Sequence, residues 1–383
     1  MKTILFVLED FPAFGGIEGV TVQLANKLVD RYKVLICSHH QKDMGILDRL
    51  DKQVILFQMP DKGLNKSAEN INYLHTLICT HIVDVLIFQD SYFPNEYLLD
   101  GIKKYKNIKI IAVEHSSPNQ IDISYSFARS KQKESLIKRC ILYIMHKRNV
   151  FRYRRRRTRI YYCADKYVLL STSLVASFFK HSFVKYPSKI VTIGNPVSLP
   201  PIDLSCCMKR KQCLFVGRLD VMKGLDRLVE IWKQASTQIP EWELVIVGDG
   251  KMMPYIKEEI SLGHLQNVRL EGFKTDVSPY YEKASIFMMC STFEGFPLVL
   301  PEAMSRGCVP VLFDSFPAAR DIISSSIDGV LVKPFDIAQY SREIVSLAKD
   351  PYLLNNLKHS AYNKSQQFDL DGIVNKWIKQ IES

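Results

Sequence analysis

The chain has 383 residues, of which 47% are hydrophobic and 24% are charged, so it is long enough for two domains with buried cores and is not a disordered protein. Its nine cysteines are odd in number and form no C-x-x-C pair, which predicts reduced thiols in a cytosolic protein and disfavours a disulfide framework. The opening MKTILFVLED is too short for a signal peptide, and no later run reaches the length of a membrane-spanning helix. We therefore expect a cytoplasmic location.

Short runs rich in β-branched residues alternate with helical patterns along the first half of the chain. The candidate strands are TILFVL, KVLICS, VILFQM, DVLIFQ, KIIAVEH, KYVLLS and IVTIGN. This alternation predicts an α/β fold, with a parallel sheet that is covered by helices on both faces.

Gly15 and Gly16 follow the first candidate strand and precede a helical pattern. Their bare backbone amides, together with the N-terminus of the helix, are suited to hold an anion. A tight strand-to-helix turn explains the same pair of glycines equally well. The full dinucleotide fingerprint is missing, which disfavours NAD binding.

The net charge of +11 is concentrated in one stretch of the first half. Residues 129–159 hold thirteen Lys or Arg and one acidic residue, Glu134, so the rest of the chain is about neutral. Aliphatic residues such as Leu142 and Val150 interleave with these cations. The pattern predicts a basic amphipathic helix or a pair of such helices.

A break in the pattern separates the two halves. Residues 195–212, NPVSLPPIDLSCCMKRKQ, contain three prolines and a polar run. The alternation then resumes with the candidate strands CLFVGR, ELVIVG, VRLEGF, SIFMMCS, VPVLF and GVLVKP. We predict two doubly wound domains, at residues 1–200 and 201–366, followed by a C-terminal helix at residues 367–383.

Two cations, Arg218 and Lys223, lie on the predicted loop between the strand CLFV and the helix that begins near Gly224. The carboxyl edge of a parallel sheet is where open α/β sheets bind their ligands. A diphosphate suits this pair, because arginine offers a bidentate fork and lysine a mobile point charge. Solvated loop cations are the alternative interpretation, and the preceding Gly217 favours the ligand site.

Glu294 and Glu302 are separated by seven residues in STFEGFPLVLPEAM. Pro297 lies between them, and proline is tolerated in the first turn of a helix but not in its interior. We therefore expect Glu294 on the loop after the strand SIFMMCS and Glu302 early in the next helix. Carboxylates placed in this way suit two separate hydroxyl contacts along one extended ligand better than a shared proton.

The segments STFEGFPLVLPEAMSRG, FVGRLDVMKG, IVGDG and GGIE carry a family resemblance. Their order, the E-x7-E spacing and the R-x4-K spacing resemble the retaining nucleotide-sugar glycosyltransferases of family 4, and the likeness covers nearly the whole chain. The resemblance implies the GT-B fold, in which two Rossmann-like domains face each other across a cleft. It also implies that the first domain binds the acceptor and the second the nucleotide sugar.

The resemblance assigns roles to particular residues. It implies that Glu302 binds the ribose hydroxyls of the donor nucleotide, and that Glu294 faces the transferred sugar. Arg218 and Lys223 would hold the diphosphate. The residues that it implies for catalysis are His115, Arg218, Lys223 and Glu294. The residues that it implies for donor binding are Gly15, Gly16, Gly217, Arg218, Lys223, Gly248, Phe273, Glu294, Gly295, Phe296, Pro297, Leu298 and Glu302.

His115 lies at the end of a candidate strand in VEHSSP. It matches a histidine that contacts the donor sugar in the family that the chain resembles. A lone histidine is more often structural than catalytic, so a structural role stays open. The position at a strand's carboxyl end favours the functional one.

No metal and no cofactor are expected, because the resemblance implies that protein cations neutralise the leaving diphosphate. The one D-x-D sequence, at Asp369 to Asp371, lies just before the last predicted helix. We interpret one of these two aspartates as the N-cap of that helix. In the family that the chain resembles, this last helix crosses back to the first domain.

The resemblance implies a specific activity. This activity is the retaining transfer of a hexose or N-acetylhexosamine from a nucleotide-diphosphate sugar to a hydroxyl of a glycan acceptor. A polyprenyl-diphosphate-linked acceptor in bacterial surface polysaccharide biosynthesis is the preferred case. A non-hydrolysing nucleotide-sugar 2-epimerase and an inactive sugar-nucleotide-binding protein remain alternatives. These motifs do not encode the donor sugar, the base, the acceptor linkage or the oligomeric state.

Residues 129–159 have a possible partner under the same resemblance. In lipid-linked relatives, basic apolar helices of the first domain settle on the anionic cytoplasmic leaflet. A solvated helix and a nucleic-acid surface are the alternatives. We expect an anionic membrane surface as the partner, with no nucleic acid, and a peripheral location at the inner face of the cytoplasmic membrane. The expected membrane or acceptor surface consists of Lys147, Arg148, Arg152, Arg154, Arg155, Arg156 and Arg157.

Overall fold

The computed structural model describes residues 1–63, 66–90, 96–102, 108–130, 136–197 and 199–383. The chain divides into two compact units. Unit 1 contains Met1–Pro196 together with Leu370–Ser383, and unit 2 contains Val197–Asp369. The first boundary precedes the predicted one at residue 200, because the intervening backbone bonds to unit 2. The Val197 amide donates to the Phe368 carbonyl at 2.8 Å, and Arg306 donates to the Pro200 carbonyl at 2.7 Å.

Unit 1 contains a seven-stranded sheet in the order β3-β2-β1-β4-β5-β6-β7, and all its strand pairs are parallel. Each strand falls on one of the predicted apolar runs. The strands are β1 (Thr3–Asp10), β2 (Lys33–His40), β3 (Ile55–Gln58), β4 (Val85–Asp90), β5 (Lys109–Glu114), β6 (Lys166–Leu169) and β7 (Ile190–Thr192).

Helices connect these strands. They are α1 (Gly16–Leu28), α2 (Ala68–His81), α3 (Glu96–Ile102), α4 (Gln120–Ser130), α5 (Leu136–Cys163) and α6 (Leu174–Lys180), with a 3-10 turn at Met44–Arg49. The predicted basic segment therefore forms the end of α4 and most of α5, which is the helix-pair alternative. Residues 131–135 of that segment lie outside the described part of the chain.

Unit 2 contains a six-stranded parallel sheet in the order β10-β9-β8-β11-β12-β13. Its strands are β8 (Arg210–Val216), β9 (Glu243–Val247), β10 (Val268–Gly272), β11 (Ala284–Met289), β12 (Val309–Phe313) and β13 (Val330–Val332). Its helices are α7 (Leu225–Ser236), α8 (Met253–Ser261), α9 (Ser278–Lys283), α10 (Val299–Ser305), α11 (Ala319–Ile322), α12 (Ile337–Lys349) and α13 (Pro351–Ser365). Short 3-10 turns lie at Leu204–Cys206, Val221–Lys223 and Gln366–Phe368.

Large buried side chains hold the helices of unit 2 on its sheet. Trp232 on α7 is fully buried, and its indole N–H donates to the Gln266 carbonyl at 2.8 Å. Tyr340 on α12 is also fully buried, and its hydroxyl accepts a hydrogen bond from the Met289 amide at 3.0 Å. Each ring therefore buries its apolar area while its polar atom is satisfied.

The last helix, α14 (Leu370–Glu382), packs in unit 1. Glu382 accepts hydrogen bonds from Lys2 and from the Tyr32 hydroxyl, each at 2.6 Å. Asp369 stands immediately before the helix in extended backbone, which is the N-cap position, and Asp371 pairs with Lys27 at 2.7 Å. The D-x-D sequence is thus part of the attachment of this helix.

The described residues contain neither a membrane-spanning helix nor a cluster of metal ligands. None of the described helices is both long and apolar enough to cross a bilayer. Among the same residues, no group of three or more His, Cys, Asp or Glu is arranged to hold a metal ion.

The strand order places a switch point in each sheet. In unit 1 the chain runs outward from β1 in one direction and from β4 in the other, and in unit 2 the corresponding neighbours are β8 and β11. Loops that leave the carboxyl ends of such neighbours diverge to opposite faces of the sheet and leave a crevice, where open α/β sheets bind their ligands.

Candidate active site

The loops that leave β8 and β11 are joined at the switch point of unit 2. The Thr292 amide donates to the Met222 carbonyl at 2.8 Å. Arg227, on the first turns of α7, donates to the Cys290 carbonyl at 2.9 Å and to the Thr292 hydroxyl at 2.8 Å. Sequence reasoning missed Arg227, because its partners lie more than sixty residues further along the chain. These bonds hold together the two loops that carry the predicted site residues Arg218, Lys223 and Glu294.

Lys223 and Glu294 form an ion pair across this crevice. Lys223 Nζ lies 2.6 Å from Glu294 Oε1, and both side chains are partly buried. Lys223 ends a 3-10 turn that begins after Asp220, whose carboxylate accepts from the Lys223 amide at 3.0 Å. The structure thus brings together one cation that we predicted for a diphosphate and the carboxylate that we predicted for a sugar.

Arg218 lies on the same loop but is much more exposed. Its guanidinium pairs with Asp220 at 2.6 Å, and three quarters of the side chain is exposed. Asp220 therefore touches both predicted cations, through its side chain to Arg218 and to the backbone of Lys223. It was not predicted as a site residue.

The glycines at this edge allow close contact between backbones. Gly217 and Gly248 have φ values of 153° and 137°, which side chains rarely adopt. A Cβ atom added at Gly248 would lie 1.9 Å from the Gly217 carbonyl oxygen. The close approach of the loops after β8 and β9 therefore requires a glycine at position 248, and the φ value of Gly217 favours glycine there too.

Glu302 is buried in the first turn of α10, whereas Glu294 lies on the loop before that helix, as the position of Pro297 predicts. The Tyr281 hydroxyl donates to Glu302 Oε2 at 3.3 Å. Burial and the neighbouring Glu302 carboxylate raise the pKa of Tyr281 well above its usual range, so Tyr281 stays protonated. Glu302 therefore has a fixed orientation and a permanent donor.

The remaining predicted donor-binding residues of unit 2 have different environments. The Phe296 side chain is buried and contacts the Phe368 ring edge-on, at a centroid distance of 5.6 Å, so only its backbone is available to a ligand. Phe273, just after β10, is mostly exposed. Gly295 and Leu298 are half-buried on the loop that carries Glu294, and Pro297 there is buried.

Gly15 and Gly16 begin α1, with Gly15 as its N-cap residue. The carboxylate of Glu18 lies over this turn, because a Cβ atom added at Gly15 would be 2.1 Å from Glu18 Oε2. Burial raises the pKa of Glu18. The predicted anion site at this helix N-terminus therefore already faces a carboxyl group of the chain itself.

His115 immediately follows β5 in unit 1 and is half-buried. Its Nε2 atom is hydrogen-bonded to Gln89 Oε1, at the end of the neighbouring strand β4. Burial lowers the pKa of His115 to about 4, so the imidazole is neutral at pH 7.

The prediction that Arg157 lies on a membrane or acceptor surface is wrong. Arg157 is buried, and its guanidinium binds both carboxylate oxygens of the buried Glu114, with contacts of 2.6 to 3.0 Å. Arg154 donates to the Ser182 carbonyl at 3.0 Å, and Arg156 pairs with Glu96 at 3.2 Å. The four consecutive arginines therefore mostly attach α5 to unit 1.

The exposed cations of the predicted surface lie elsewhere on α5. These residues are Lys147, Arg148, Arg152 and Arg155. Ile141, Ile144, Met145 and Phe151 lie among them, and each of these apolar side chains is more than half exposed. The opposite face of this part of α5 packs on α4, where the His146 ring stacks on Tyr125 at a centroid distance of 4.1 Å.

Two parallel Rossmann-like sheets, each with a switch point in its strand order, are the architecture of the GT-B fold. Residues 207–364 match the sequence model of the family described as glycosyl transferases group 1. The fold prediction is confirmed.

Individual proteins resemble the chain to different extents. An uncharacterized glycosyltransferase of Haemophilus influenzae is 29% identical over 191 residues, which are 50% of this chain and 54% of that protein. A Campylobacter jejuni enzyme is 27% identical over 213 residues, 55% of this chain and 59% of that protein. It is named GalNAc-alpha-(1->4)-GalNAc-alpha-(1->3)-diNAcBac-PP-undecaprenol alpha-1,4-N-acetyl-D-galactosaminyltransferase. The matched part thus spans little more than half the length of these relatives.

A solved structure matches over the whole chain. It is that of Anabaena Alr3699/HepE in complex with UDP and glucose, with a TM-score of 0.74 and 17% sequence identity, and the match covers all of both chains. At this level of identity the likeness concerns the fold.

Proposed function

We propose that the chain is a retaining glycosyltransferase. It would move a hexose or N-acetylhexosamine from a nucleotide-diphosphate sugar to a hydroxyl of a glycan acceptor. The observation that carries this proposal is the Lys223–Glu294 ion pair at the switch point of unit 2, with Arg218 on the same loop. The Campylobacter jejuni relative is named for an undecaprenyl-diphosphate-linked glycan acceptor, and this name supports a glycan acceptor for the chain. We therefore propose a polyprenyl-diphosphate-linked glycan in bacterial surface polysaccharide synthesis.

The ion pair suggests how the donor would be bound. Without a donor, the Glu294 carboxylate neutralises Lys223 at 2.6 Å. An incoming diphosphate offers Lys223 a stronger anionic partner, and Glu294 is then released to accept hydrogen bonds from sugar hydroxyls. Binding of the diphosphate by Lys223 and binding of the sugar by Glu294 are thereby coupled through the ion pair between these two residues.

The same residues would lower the barrier to transfer. Charge develops on the leaving diphosphate as the glycosidic bond breaks, and fixed cations beside it stabilise that charge without reorganising. Lys223 is held by the turn that Asp220 caps, and Arg218 is held by its pair with Asp220. Glu302, oriented by Tyr281, would accept the ribose hydroxyls.

One assay separates this function from its alternatives. The protein is incubated with radiolabelled nucleotide sugars and a polyprenyl-diphosphate-linked glycan, and the products are analysed. Label on the lipid with the donor's anomeric configuration supports retaining transfer. An epimerised free donor would support a 2-epimerase instead, and binding without any product would support an inactive binding protein.

Donor binding is expected to stabilise the protein. At a concentration of 100 times the dissociation constant, a ligand that binds only the folded state adds about 2.7 kcal/mol to the free energy of unfolding. Thermal-shift measurements with a panel of nucleotide-diphosphate sugars should therefore show an increase for the true donor. The Glu302→Ala variant should lose most of that increase, because it removes the carboxylate proposed for the ribose. An equal increase in this variant would contradict that role.

The exposed face of α5 supports a second part of the proposal, a membrane surface as partner. Cations and half-exposed apolar side chains alternate on this face, which suits the interface of an anionic leaflet. We propose that α5 places the protein peripherally on the cytoplasmic membrane, where a lipid-linked acceptor is found.

This contact predicts salt-sensitive sedimentation with anionic liposomes. Each cation near such a surface contributes about 1 kcal/mol, so replacing Lys147, Arg148, Arg152 and Arg155 by serine should weaken binding by up to about 10³-fold. A matched control replaces four exposed lysines of unit 2 by serine, so the control and the α5 variant have the same net charge. These lysines are Lys251, Lys257, Lys283 and Lys349. Equal binding of the two variants would rule out α5 as the membrane-facing surface.

A further inference from the structure

Gln89 connects His115 to helix α1. It is the last residue but one of strand β4 and is paired with Val113 of β5, and only 3% of its surface is exposed. Its Oε1 atom is bonded to His115 Nε2, and its Nε2 atom lies 3.4 Å from Thr21 Oγ1. Thr21 is fully buried on α1, and its hydroxyl donates to the Ile17 carbonyl at 2.8 Å.

The numbers of donors and acceptors on Thr21, Gln89 and His115 determine the tautomer of His115. A threonine hydroxyl has one proton, and Thr21 uses it on the Ile17 carbonyl. Towards Gln89 it can therefore only accept, so the glutamine presents its NH2 group to Thr21 and its carbonyl oxygen to His115. A carbonyl oxygen only accepts, so His115 Nε2 must carry a proton.

A neutral imidazole with a proton on Nε2 has an unprotonated Nδ1. Burial lowers the pKa of His115 to about 4, which keeps the ring neutral at pH 7. The Nδ1 atom is therefore a hydrogen-bond acceptor, suited to a neutral donor such as a sugar hydroxyl and unsuited to a phosphate oxygen.

We propose that Gln89 is a positioning residue that holds His115 in the neutral Nε2–H tautomer, with Thr21 setting the orientation of the Gln89 amide. His115 then receives a hydrogen bond from a substrate hydroxyl through Nδ1. This last step rests on the proposed function, whereas the tautomer does not.

The identity of residue 89 matters because a carboxylate at this position would change Nδ1 of His115 from a hydrogen-bond acceptor to a donor. Glutamate has nearly the same shape as glutamine, but its charge beside His115 favours the imidazolium. Both ring nitrogens of an imidazolium are donors, so Nδ1 would no longer accept a hydroxyl proton. Gln89→Glu therefore changes the function of His115 with little change in packing.

Nitrogen-15 NMR of labelled histidines in the full chain tests the tautomer directly at pH 7. The His115 resonances are identified by their loss in His115→Gln. We expect a protonated Nε2 and an unprotonated Nδ1 in the wild type, an imidazolium in Gln89→Glu, and a mixture of tautomers in Thr21→Val. A wild-type ring with its proton on Nδ1, or a Gln89→Glu spectrum identical to that of the wild type, would overturn the proposal.

Transfer kinetics test the consequence for the substrate. Gln89→Glu should lower kcat/KM by about tenfold or more, because it removes one acceptor that faces the sugar. A Gln89→Glu enzyme with an imidazolium at His115 and undiminished kcat/KM would overturn the hydroxyl contact. If the wild type transfers no sugar at all, the proposed function fails, and the NMR spectra alone decide the role of Gln89.

Discussion

Replacing Lys223 by alanine is expected to lower turnover of the nucleotide sugar by about 10²–10³-fold, the usual cost of removing one group that stabilises transition-state charge. The fold should survive, because the turn at Val221–Lys223 is held by backbone bonds and by the Asp220 side chain. The Lys223 ammonium itself contacts Glu294. The measurement is kcat in the transfer assay, together with a thermal melt that should change little.

Lys233 on α7 provides a matched control for this variant. It is also a lysine in an ion pair, with Glu259 at 2.7 Å, and its side chain is about as exposed as that of Lys223. It lies near the other end of α7, so Lys233→Ala should leave turnover almost unchanged. Comparable kcat values for the two variants would remove Lys223 from the site.

The partner carboxylate can be tested in the same way. Glu294→Gln should also reduce turnover severely, since an amide cannot neutralise Lys223 and accepts hydroxyls more weakly. The two residues touch, so the double variant should lose less than the product of the two single losses. Fully independent losses would mean that the ion pair has no part in donor binding.

The sheets were predictable from the sequence because buried parallel strands are near-continuous apolar runs. Runs such as KVLICS and VPVLF mark β2 and β12 directly. The division of the glutamates was predictable too, because Pro297 restricts the local backbone and α10 begins just after it. In each case the deciding physics is local.

Long-range pairing was not predictable. Four consecutive arginines look like a solvated surface, but the partners of Arg156 and Arg157 lie 60 and 43 residues earlier in the chain. Likewise, Gln89 meets His115 only because β4 and β5 are neighbours in the sheet. Such contacts depend on strand order and on packing of α5, which single-sequence patterns do not contain.

The second large effect is expected on stability. Glu114→Gln should reduce the free energy of unfolding of unit 1 by about 3–5 kcal/mol, because it leaves the buried Arg157 guanidinium without its carboxylate. Glu114 also accepts a hydrogen bond from the Tyr167 hydroxyl at 2.8 Å, so a second buried donor is affected. The free energy of unfolding is measured in denaturant, and hydrogen exchange of the amides of unit 1 shows whether the loss is in that unit.

A neighbouring pair on the same helix gives the control for Glu114. Arg159, two residues after Arg157, pairs with Asp100 near the surface, and both of these side chains are substantially exposed. An exposed pair contributes about 0–1 kcal/mol, so Asp100→Asn should have a small effect. Replacing both buried partners, as Glu114→Leu with Arg157→Met, should recover much of the loss, because no buried charge is then left unpaired. Equal destabilisation by Glu114→Gln and Asp100→Asn would show that burial does not set the energy of these pairs.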